Sequence, residues 1–335
     1  MRKSFFLAAL IAFGVVAAPA AAQTPENLET LTIRYQTSAG SQVSYPELAD
    51  ALGYLAPLKL ERVGVVSGGP AGIQATATNQ TEFGQSFNGA IINAVAAGAP
   101  VKAVIGYHGT NGDDYFGGWV LEGSPIKTAR DLIGKKIGVN TLGAAANAYI
   151  DEFLIRGGLT PDERKEVLLV PLPQNTIEQA LRQKQIDAGI LNSGQQDQAI
   201  ERGGITLLFS DFEMFGEFTS ASIVLKNSFI EENPNTTKHF VGAVAKAIAW
   251  SQEHTRDEVI DVYTKYLEAT GQSGQIPALK YWRTQAVANK GGVISESEFS
   301  QWINWQEGIG QIKPGQIKAS DIYTNAFNPF ATASN

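Results

Sequence analysis

Short apolar runs alternate with stretches of helical periodicity along the first two thirds of the chain. The runs Leu31–Tyr35, Leu58–Val66 and Val101–Tyr107 predict strands, because β-branched and aromatic residues are frequent in them. Ser44 followed by Glu47 predicts a capping box at the start of the first helix. Strands that alternate with helices in this way are typical of an α/β fold.

The pattern restarts at Trp119 and continues to Phe209, which predicts a second α/β unit of about ninety residues. The segment Phe218–Leu225 then predicts an extended return to the first unit. Beyond it the pattern becomes helical, with predicted helices at Phe240–Gln252, Asp257–Ala269, Pro277–Ala288 and Glu296–Ile309.

Four turns share one pattern, in which an apolar strand ends at small or polar residues and a helix follows. They are Ser67-Gly68-Gly69, Phe87-Asn88-Gly89, Thr141-Leu142-Gly143 and Asn192-Ser193-Gly194. In one interpretation these residues simply cap their helices, as Asn88 is predicted to do. In the other, the helix starts converge on a cleft between the two units, since open α/β sheets bind ligands at the carboxyl ends of their strands. Four such turns together favour the cleft.

The positive ends of helices suit an anion or a polar acceptor, but their contribution is limited. Four of them supply about 4 kcal/mol, whereas micromolar affinity requires about 8 kcal/mol. Side chains must therefore contribute hydroxyls, amides and an apolar wall, for which Tyr115 and Phe116 are further candidates. The predicted ligand-binding residues are Gln36, Thr37, Ser38, Ser67, Gly68, Gly69, Phe87, Asn88, Gly89, Tyr107, His108, Gly143, Ala144, Asn192, Ser193, Phe218 and Thr219.

Catalytic and metal-binding patterns are weak. The chain has no cysteine, so neither a thiolate nucleophile nor a thiolate ligand is available. The segment Gly84-Gln85-Ser86-Phe87-Asn88 lacks the final glycine of a nucleophile elbow. The three histidines, His108, His239 and His254, are too far apart in sequence to indicate a metal site. We therefore expect no catalytic residue, no metal and no cofactor.

The N-terminus has the features of a secretory signal. Arg2 and Lys3 precede the apolar stretch Phe5–Val16, and Ala20-Ala21-Ala22 offers a cleavage site. We expect a signal peptide over residues 1–22, cleavage near Ala22 and a mature protein free in the periplasm, without a membrane anchor. Loss of two basic residues would make the net charge of −7 more negative, which argues against nucleic acid or an anionic membrane as partner.

Three segments resemble a known family. They are SGGPAGIQATATNQTEFGQSFNGAIINAVAAGAPVKAV, SPIKTARDLIGKKIGVNTLGAAANAYI and IDAGILNSGQQDQAIERGG. They resemble the periplasmic solute-binding proteins of aliphatic-sulfonate, taurine and nitrate ABC importers, and the likeness covers roughly residues 31–330. It implies a two-lobed α/β fold of the type II periplasmic-binding-protein class, with two mixed sheets flanked by helices and a helical C-terminal region. Residues 29–117 plus 225–330 would form lobe 1 and residues 118–224 lobe 2, with hinge segments near residues 116–124 and 217–224.

The resemblance also implies a function. A small organic anion (a sulfonate, a nitrate-like ion, a carboxylate or a related nitrogen or sulfur compound) would be captured between the lobes. The monomeric protein would deliver it to an inner-membrane permease and its ATPase. The run Gly143-Ala144-Ala145-Ala146 lacks hydroxyls that many members carry there, and Asn192-Ser193-Gly194-Gln195 stands where many have an aromatic-acidic-proline turn, so the ligand stays open. The alternatives are an enzyme on the same fold, of the pyrimidine-synthase or dehydratase type, and a periplasmic ligand sensor.

Overall fold

The computed structural model describes residues 27–38, 42–66 and 68–331. The predicted signal peptide lies outside these residues. The strands are β1 (Thr32–Ser38), β2 (Lys59–Val66), β3 (Phe83–Phe87), β4 (Val101–Thr110), β5 (Phe116–Leu121), β6 (Lys136–Val139), β7 (Leu168–Pro171), β8 (Ala188–Asn192), β9 (Ile205–Ser210) and β10 (Phe218–Lys226).

Fourteen α-helices lie within the described residues, and none of them is long and apolar enough to cross a bilayer. They are α1 (Tyr45–Ala51), α2 (Gly69–Ala77), α3 (Asn88–Ala96), α4 (Ala145–Arg156), α5 (Pro161–Lys165), α6 (Ile177–Arg182), α7 (Ser193–Arg202), α8 (Asp211–Phe215), α9 (Asn227–Glu232), α10 (Pro234–Glu253), α11 (Arg256–Ala269), α12 (Ile276–Leu279), α13 (Ser297–Gly308) and α14 (Ala319–Ile322). Short 3₁₀ turns occur at Ala129–Leu132, Gln174–Thr176, Ser273–Gln275 and Lys290–Gly292.

The described strands form three hydrogen-bonded sheets. One has five strands in the order β7-β6-β8-β5-β9; β6 runs parallel to β7 and β8, and β5 runs antiparallel to β8 and β9. The others are β3-β10-β4, antiparallel about β10, and the parallel pair β1-β2. This mixed α/β architecture confirms the predicted fold class, although the strands of the first unit form two ladders rather than one continuous sheet.

Arg34 and Glu82 join the two ladders of the first unit. The Arg34 backbone N–H donates to the Glu82 carboxylate at 2.5 Å, and the Arg34 guanidinium reaches the same carboxylate at 2.6 Å. The Glu82 backbone N–H in turn donates to the Arg34 carbonyl at 3.0 Å. Because Arg34 lies in β1 and Glu82 immediately precedes β3, these contacts fix β1 beside β3.

The predicted return segment is confirmed as β10. Every residue from Phe218 to Leu225 is buried, and the strand pairs on both sides. A continuous run of apolar and small residues is the pattern expected of a strand covered on both faces. The chain therefore does return through the centre of the first unit.

A cluster of five rings connects the two units. Tyr149 of α4 and Trp302 of α13 have ring centroids 5.9 Å apart, and Phe87 contacts Trp302 edge-on at 4.8 Å. Phe215 and Phe218 pack on the same Trp302 at 5.2 and 6.2 Å. We call these five residues the aromatic seam. Their rings bury large apolar areas, so the seam is a strong contact between the units.

The predicted capping box at α1 is wrong. Ser44 makes no side-chain cap hydrogen bond, and Glu47 is only 1 % exposed. Tyr35 Oη donates to the Glu47 carboxylate at 2.5 Å, and Tyr263 Oη donates to its second oxygen. Two buried phenols satisfy this carboxylate, so it is held in the core and does not turn back to the helix start.

The predicted helix Pro277–Ala288 is also wrong beyond Leu279, where α12 ends. The Arg256 guanidinium donates a hydrogen bond to the carbonyl of Trp282 at 2.6 Å. The carbonyl of Gln285 accepts from the N–H of Gly109 in β4 at 2.9 Å. These carbonyls are engaged by other parts of the protein, so they are not available for a regular helical ladder.

The chain crosses between the two units through residues 111–115 and 211–217. These crossings adjoin the predicted hinge segments, which themselves lie largely in β5 and β10. Asp211 connects them: its Oδ1 accepts from the Phe116 N–H and from the Thr110 hydroxyl, both at 2.9 Å. His108 Nε2 lies 3.4 Å from Asp114 Oδ2 beside this network. The lobe boundaries and the hinge remain predictions.

Burial raises the pKa of the Asp211 carboxyl from 3.8 to about 7, against the lowering effect of its hydrogen bonds. The folded protein thus binds a proton that the unfolded chain has released, and its stability falls as pH rises through this interval. We predict that the free energy of unfolding, measured in urea, decreases between about pH 4 and pH 7. In Asp211→Asn this decrease should be smaller.

Burial also raises the pKa of Glu298 to about 7, so part of the decrease in stability with pH should remain in Asp211→Asn. Asp113→Asn is the matched control, because Asp113 is exposed in the same crossing. It should retain the full pH dependence. Equal slopes in the two variants would contradict the assignment to Asp211.

Candidate functional site

A cleft of about 1070 Å³ lies between the two units. The N-terminal ends of four helices reach it: Gly68 and Gly69 at α2, Phe87 at α3, Ala144 at α4 and Asn192 at α7. Phe87, Ala144 and Asn192 are the N-cap residues of their helices. The structure therefore brings the four helix starts to one cleft.

Nine of the predicted binding residues line this cleft. They are Gln36, Thr37, Gly68, Gly69, Phe87, Tyr107, His108, Ala144 and Asn192. Phe116, a further aromatic candidate, lines it as well. The side chains of Ser38 and Ser193 are not described, and Ser67 lies outside the described residues.

Five predicted residues do not line the cleft. Gly89 and Gly143 line a second, smaller cavity, and Phe218 belongs to the aromatic seam. Thr219 is buried, and its hydroxyl accepts from the Ala288 N–H at 3.1 Å. The fifth residue is Asn88.

Asn88 is completely buried and fully engaged by the protein. Its Oδ1 accepts from the Ser222 hydroxyl at 2.8 Å, and its Nδ2 donates to the carbonyls of Glu298 at 3.2 Å and Thr219 at 3.4 Å. It makes no side-chain cap, because the N-cap position of α3 is Phe87. Asn88 thus ties α3 to β10 and α13.

Two glycines permit close approaches at the cleft. A Cβ on Gly69 would lie 2.2 Å from Ser86 Oγ and 2.9 Å from Ser86 Cα, so α2 packs directly on β3. A Cβ on Gly68 would lie 2.6 Å from Thr141 Cγ2. Since Thr141 belongs to the second unit, the two units touch across the cleft at this point.

Carboxamides dominate the polar lining. Ten of them face the cleft: Gln36, Gln42, Gln85, Asn140, Gln174, Asn175, Asn192, Gln195, Gln198 and Gln275. Sequence analysis identified Gln36 and Asn192 but missed the other eight. The turn at residues 173–176 follows β7 and shows the same pattern as the four predicted turns, a strand that ends in polar residues. That pattern could have identified Gln174 and Asn175.

One of the two arginines of the lining is paired, since Arg202 forms an ion pair with Glu178. Arg62 is exposed, and its Nη1 donates to the neutral amide of Gln272 at 2.9 Å, so its charge is not compensated among the described residues. Asn192 Oδ1 and Ser86 Oγ have no hydrogen-bond partner among the described residues. The cleft therefore offers a ligand backbone dipoles, amides and the guanidinium of Arg62.

Ion pairs and a hydrogen bond close one side of the interface. Arg283 contacts Asp197 of α7 through two nitrogens at 2.9 and 3.0 Å, and Tyr281 Oη donates to Glu201 at 2.6 Å. Lys280 Nζ lies 3.7 Å from the same Glu201. We call these five residues the rim latch. Like the aromatic seam, the rim latch is a contact between the two units.

A family model described as "NMT1/THI5 like" matches residues 48–257. Comparison with curated protein sequences gives no significant match.

Several solved structures are similar over most of their length. The periplasmic aliphatic sulphonate binding protein SsuA of Escherichia coli has 19% identity and a TM-score of 0.64, covering 87% of this chain and 91% of that one. The alkanesulfonate-binding protein SsuA of Xanthomonas axonopodis pv. citri, bound to MOPS, has 17% identity and a TM-score of 0.68, covering 88% and 99%. The periplasmic nitrate-binding protein NrtA of Synechocystis PCC 6803 has 11% identity and a TM-score of 0.67, covering 90% and 88%. At these identities the likeness establishes a shared fold.

We predict that Asn88→Ala lowers the free energy of unfolding by about 1–3 kcal/mol, because it leaves buried partners unsatisfied. Urea unfolding measures the loss. Asn304→Ala, on the exposed side of α13, is the matched control and should change stability by less than about 0.5 kcal/mol. Wild-type stability combined with weakened ligand binding would show instead that Asn88 acts on the ligand.

Proposed function

The chain belongs to the NMT1/THI5-like family, and from that premise we propose that it is the extracytoplasmic substrate-binding component of an ABC importer. The observation that carries the proposal is the convergence of four helix starts from both units on one cleft of about 1070 Å³. The structural neighbours, whose names describe binding of sulphonate, alkanesulfonate or nitrate, support binding rather than turnover.

Capture would proceed by closure of the units around the ligand. The two crossings, residues 111–115 and 211–217, are the backbone about which such a movement would occur. The rim latch is already formed in this structure, so closure would restore it after opening and exclude water from the cleft. Exclusion of water strengthens each hydrogen bond from the helix ends and amides to the ligand.

The ligand class follows from the lining. Arg202 is paired with Glu178, so an anionic group would be held by backbone N–H groups, carboxamides and the guanidinium of Arg62, which bonds only a neutral amide. Nitrate occupies roughly 60 Å³, about the share of two water molecules, and would fill little of this cleft. We therefore favour an organic solute with several hydrogen-bonding groups, of which a sulfonate or carboxylate is one, over an inorganic ion.

The location and partners follow from the same proposal. The names of two similar structures describe periplasmic proteins, which supports a periplasmic location after removal of the predicted signal peptide. A monomer would hand its ligand to an inner-membrane permease driven by an ATPase.

We predict that a compound from a panel of sulfonates, nitrate, carboxylates and pyrimidines raises the melting temperature. At 100 times its dissociation constant, the ligand should stabilise the protein by about 2.7 kcal/mol. Asn192→Leu removes a carboxamide from the cleft lining and should weaken binding by about tenfold, the effect of a lost hydrogen bond of roughly 1.4 kcal/mol. Binding is measured by calorimetry.

Asn304→Leu is the control, since Asn304 is exposed on α13 and does not line the cleft. It should bind the same compound with wild-type affinity. A panel without any stabilising compound would count against the binding role. Equal affinities of Asn192→Leu and Asn304→Leu would show that the ligand does not contact Asn192.

We also predict that Arg283→Met speeds ligand dissociation by up to about fivefold, because exposed ion pairs contribute about 0.2–1 kcal/mol. Stopped-flow fluorescence measures the rate. Lys265→Met removes an ion pair within α11, to Asp261, that does not join the two units, and should leave dissociation unchanged. The same dissociation rate in both variants would show that the rim latch does not retain the ligand.

A further inference from the structure

Arg62 brings a guanidinium to the cleft from the middle of β2. Its Nη1 donates to Gln272 Oε1 at 2.9 Å, and within the part of the chain that the structure describes its other N–H groups have no hydrogen-bond partner. A guanidinium carries five N–H donors in a planar fork, so four of them remain for a ligand. Arg62 is exposed as well as part of the lining, so its guanidinium is within reach of a molecule in the cleft.

Two carboxylates close to Arg62 are directed elsewhere. Successive side chains of a strand point to opposite faces, so Glu61 lies on the other face of β2, where it acts on the guanidinium of Arg34. Glu47 is buried and accepts hydrogen bonds from three neutral groups, two phenols and the amide of Gln272. Arg62 therefore forms no ion pair with a carboxylate of the described residues.

Gln272 separates the buried carboxylate from the guanidinium. It is 8 % exposed, and its Nε2 donates to Glu47 at 3.4 Å and to Thr270 Oγ1 at 3.1 Å. Its Oε1 accepts from Arg62 at 2.9 Å and from Gln275 Nε2 at 2.8 Å. A carboxylate is an acceptor only, so Glu47 fixes which end of the amide faces Arg62. Because Gln275 also lines the cleft, one buried oxygen orients two cleft side chains.

The charge and the apolar part of the lining restrict the ligand. The lining contains two arginines and one carboxylate, and since Arg202 is paired with Glu178, the charge of Arg62 remains. Hydrogen bonds between ionised groups are about twice as strong as neutral ones, so this guanidinium favours an acid group. Tyr107 and Phe116 are half-buried and line the same cleft, so they offer ring surface to the body of the ligand.

We propose, on the basis of the proposed binding function, that Arg62 selects ligands that carry one acid group on a small ring, and that Gln272 is its positioning residue. The acid group accepts hydrogen bonds from the free donors of the Arg62 fork. Gln272 does not touch the ligand. It holds the guanidinium at the cleft and keeps it from pairing with Glu47, so that the positive charge is spent on the ligand.

The test uses the full mature chain and two probes of the same shape, benzenesulfonate and benzenesulfonamide, of which only the first is charged. Calorimetry should show that the wild type binds benzenesulfonate about tenfold or more tightly, the range expected for a hydrogen bond to a charged group. Arg62→Gln should lose this preference, because its affinity for the sulfonate falls and its affinity for the sulfonamide is retained. Arg62→Lys keeps the charge without the planar fork and should lie between the two. Arg130→Gln changes an exposed arginine outside the cleft lining and should bind both probes as the wild type does.

Gln272→Met removes the amide and keeps the length of the side chain. It should weaken benzenesulfonate binding by about three- to tenfold, the range expected for one neutral hydrogen bond, and leave benzenesulfonamide binding unchanged. In Arg62→Gln it should have no further effect, because a positioning residue acts only through the group that it positions. The melting temperature of each variant, recorded without probe, shows whether it is folded. Should Gln272→Met not fold, Gln272→Asn takes its place, since its shorter side chain withdraws the oxygen from Arg62.

Two results would overturn selection by Arg62 and leave the binding function intact: equal affinities of the wild type for the two probes, and the same preference in Arg62→Gln as in Arg130→Gln. Absence of benzenesulfonate binding to the wild type also overturns it, and the wider panel of compounds then shows whether the binding function falls as well. Equal weakening by Gln272→Met with and without Arg62 would reject the positioning role of Gln272.

Discussion

The contact between Tyr149 of α4 and Trp302 of α13 is the interaction on which the arrangement of the two units depends. Phe87, Phe215 and Phe218 complete the seam around Trp302. Phe87 is at the same time the N-cap residue of α3 and part of the lining of both cavities. The packing that joins the units therefore also sets the position of a helix start at the cleft.

A second constraint acts at the chain crossings. Asp211 is buried and accepts hydrogen bonds from the end of β4 and the beginning of β5, so both crossings depend on one carboxyl group. Burial raises the pKa of Asp211, so the stability of this network depends on pH. The rim latch lies beside these crossings, because Asp197 is close enough to Asp114 and Tyr115 to interact with them electrostatically. Its pairs are more exposed than the Asp211 network and cost less to separate.

The polar residues divide into two groups that the sequence does not distinguish. Asn88 and Asn192 both follow an apolar strand and precede a helix, yet Asn88 is enclosed by Ser222 and the carbonyls of β10 and α13, whereas Asn192 lines the cleft with an unpaired oxygen. One asparagine positions the framework, and the other is available for a ligand. The difference arises because α13, over two hundred residues later, covers Asn88.

The sequence by itself determined the alternating α/β pattern, the central strand β10 and the four strand-to-helix turns, since these follow from local hydrophobic periodicity and from the residues that begin helices. Tertiary structure alone decided where polar groups found their partners. The hydroxyls of Tyr35 and Tyr263 donate to Glu47 and hold its carboxylate in the core. Arg256 donates to the carbonyl of Trp282, which is therefore not available for the helix predicted at Pro277–Ala288. The tertiary structure also placed eight further amides in the cleft. Hydrogen-bond partners distant in the chain decide these outcomes, and local sequence patterns contain no information about which distant groups will meet.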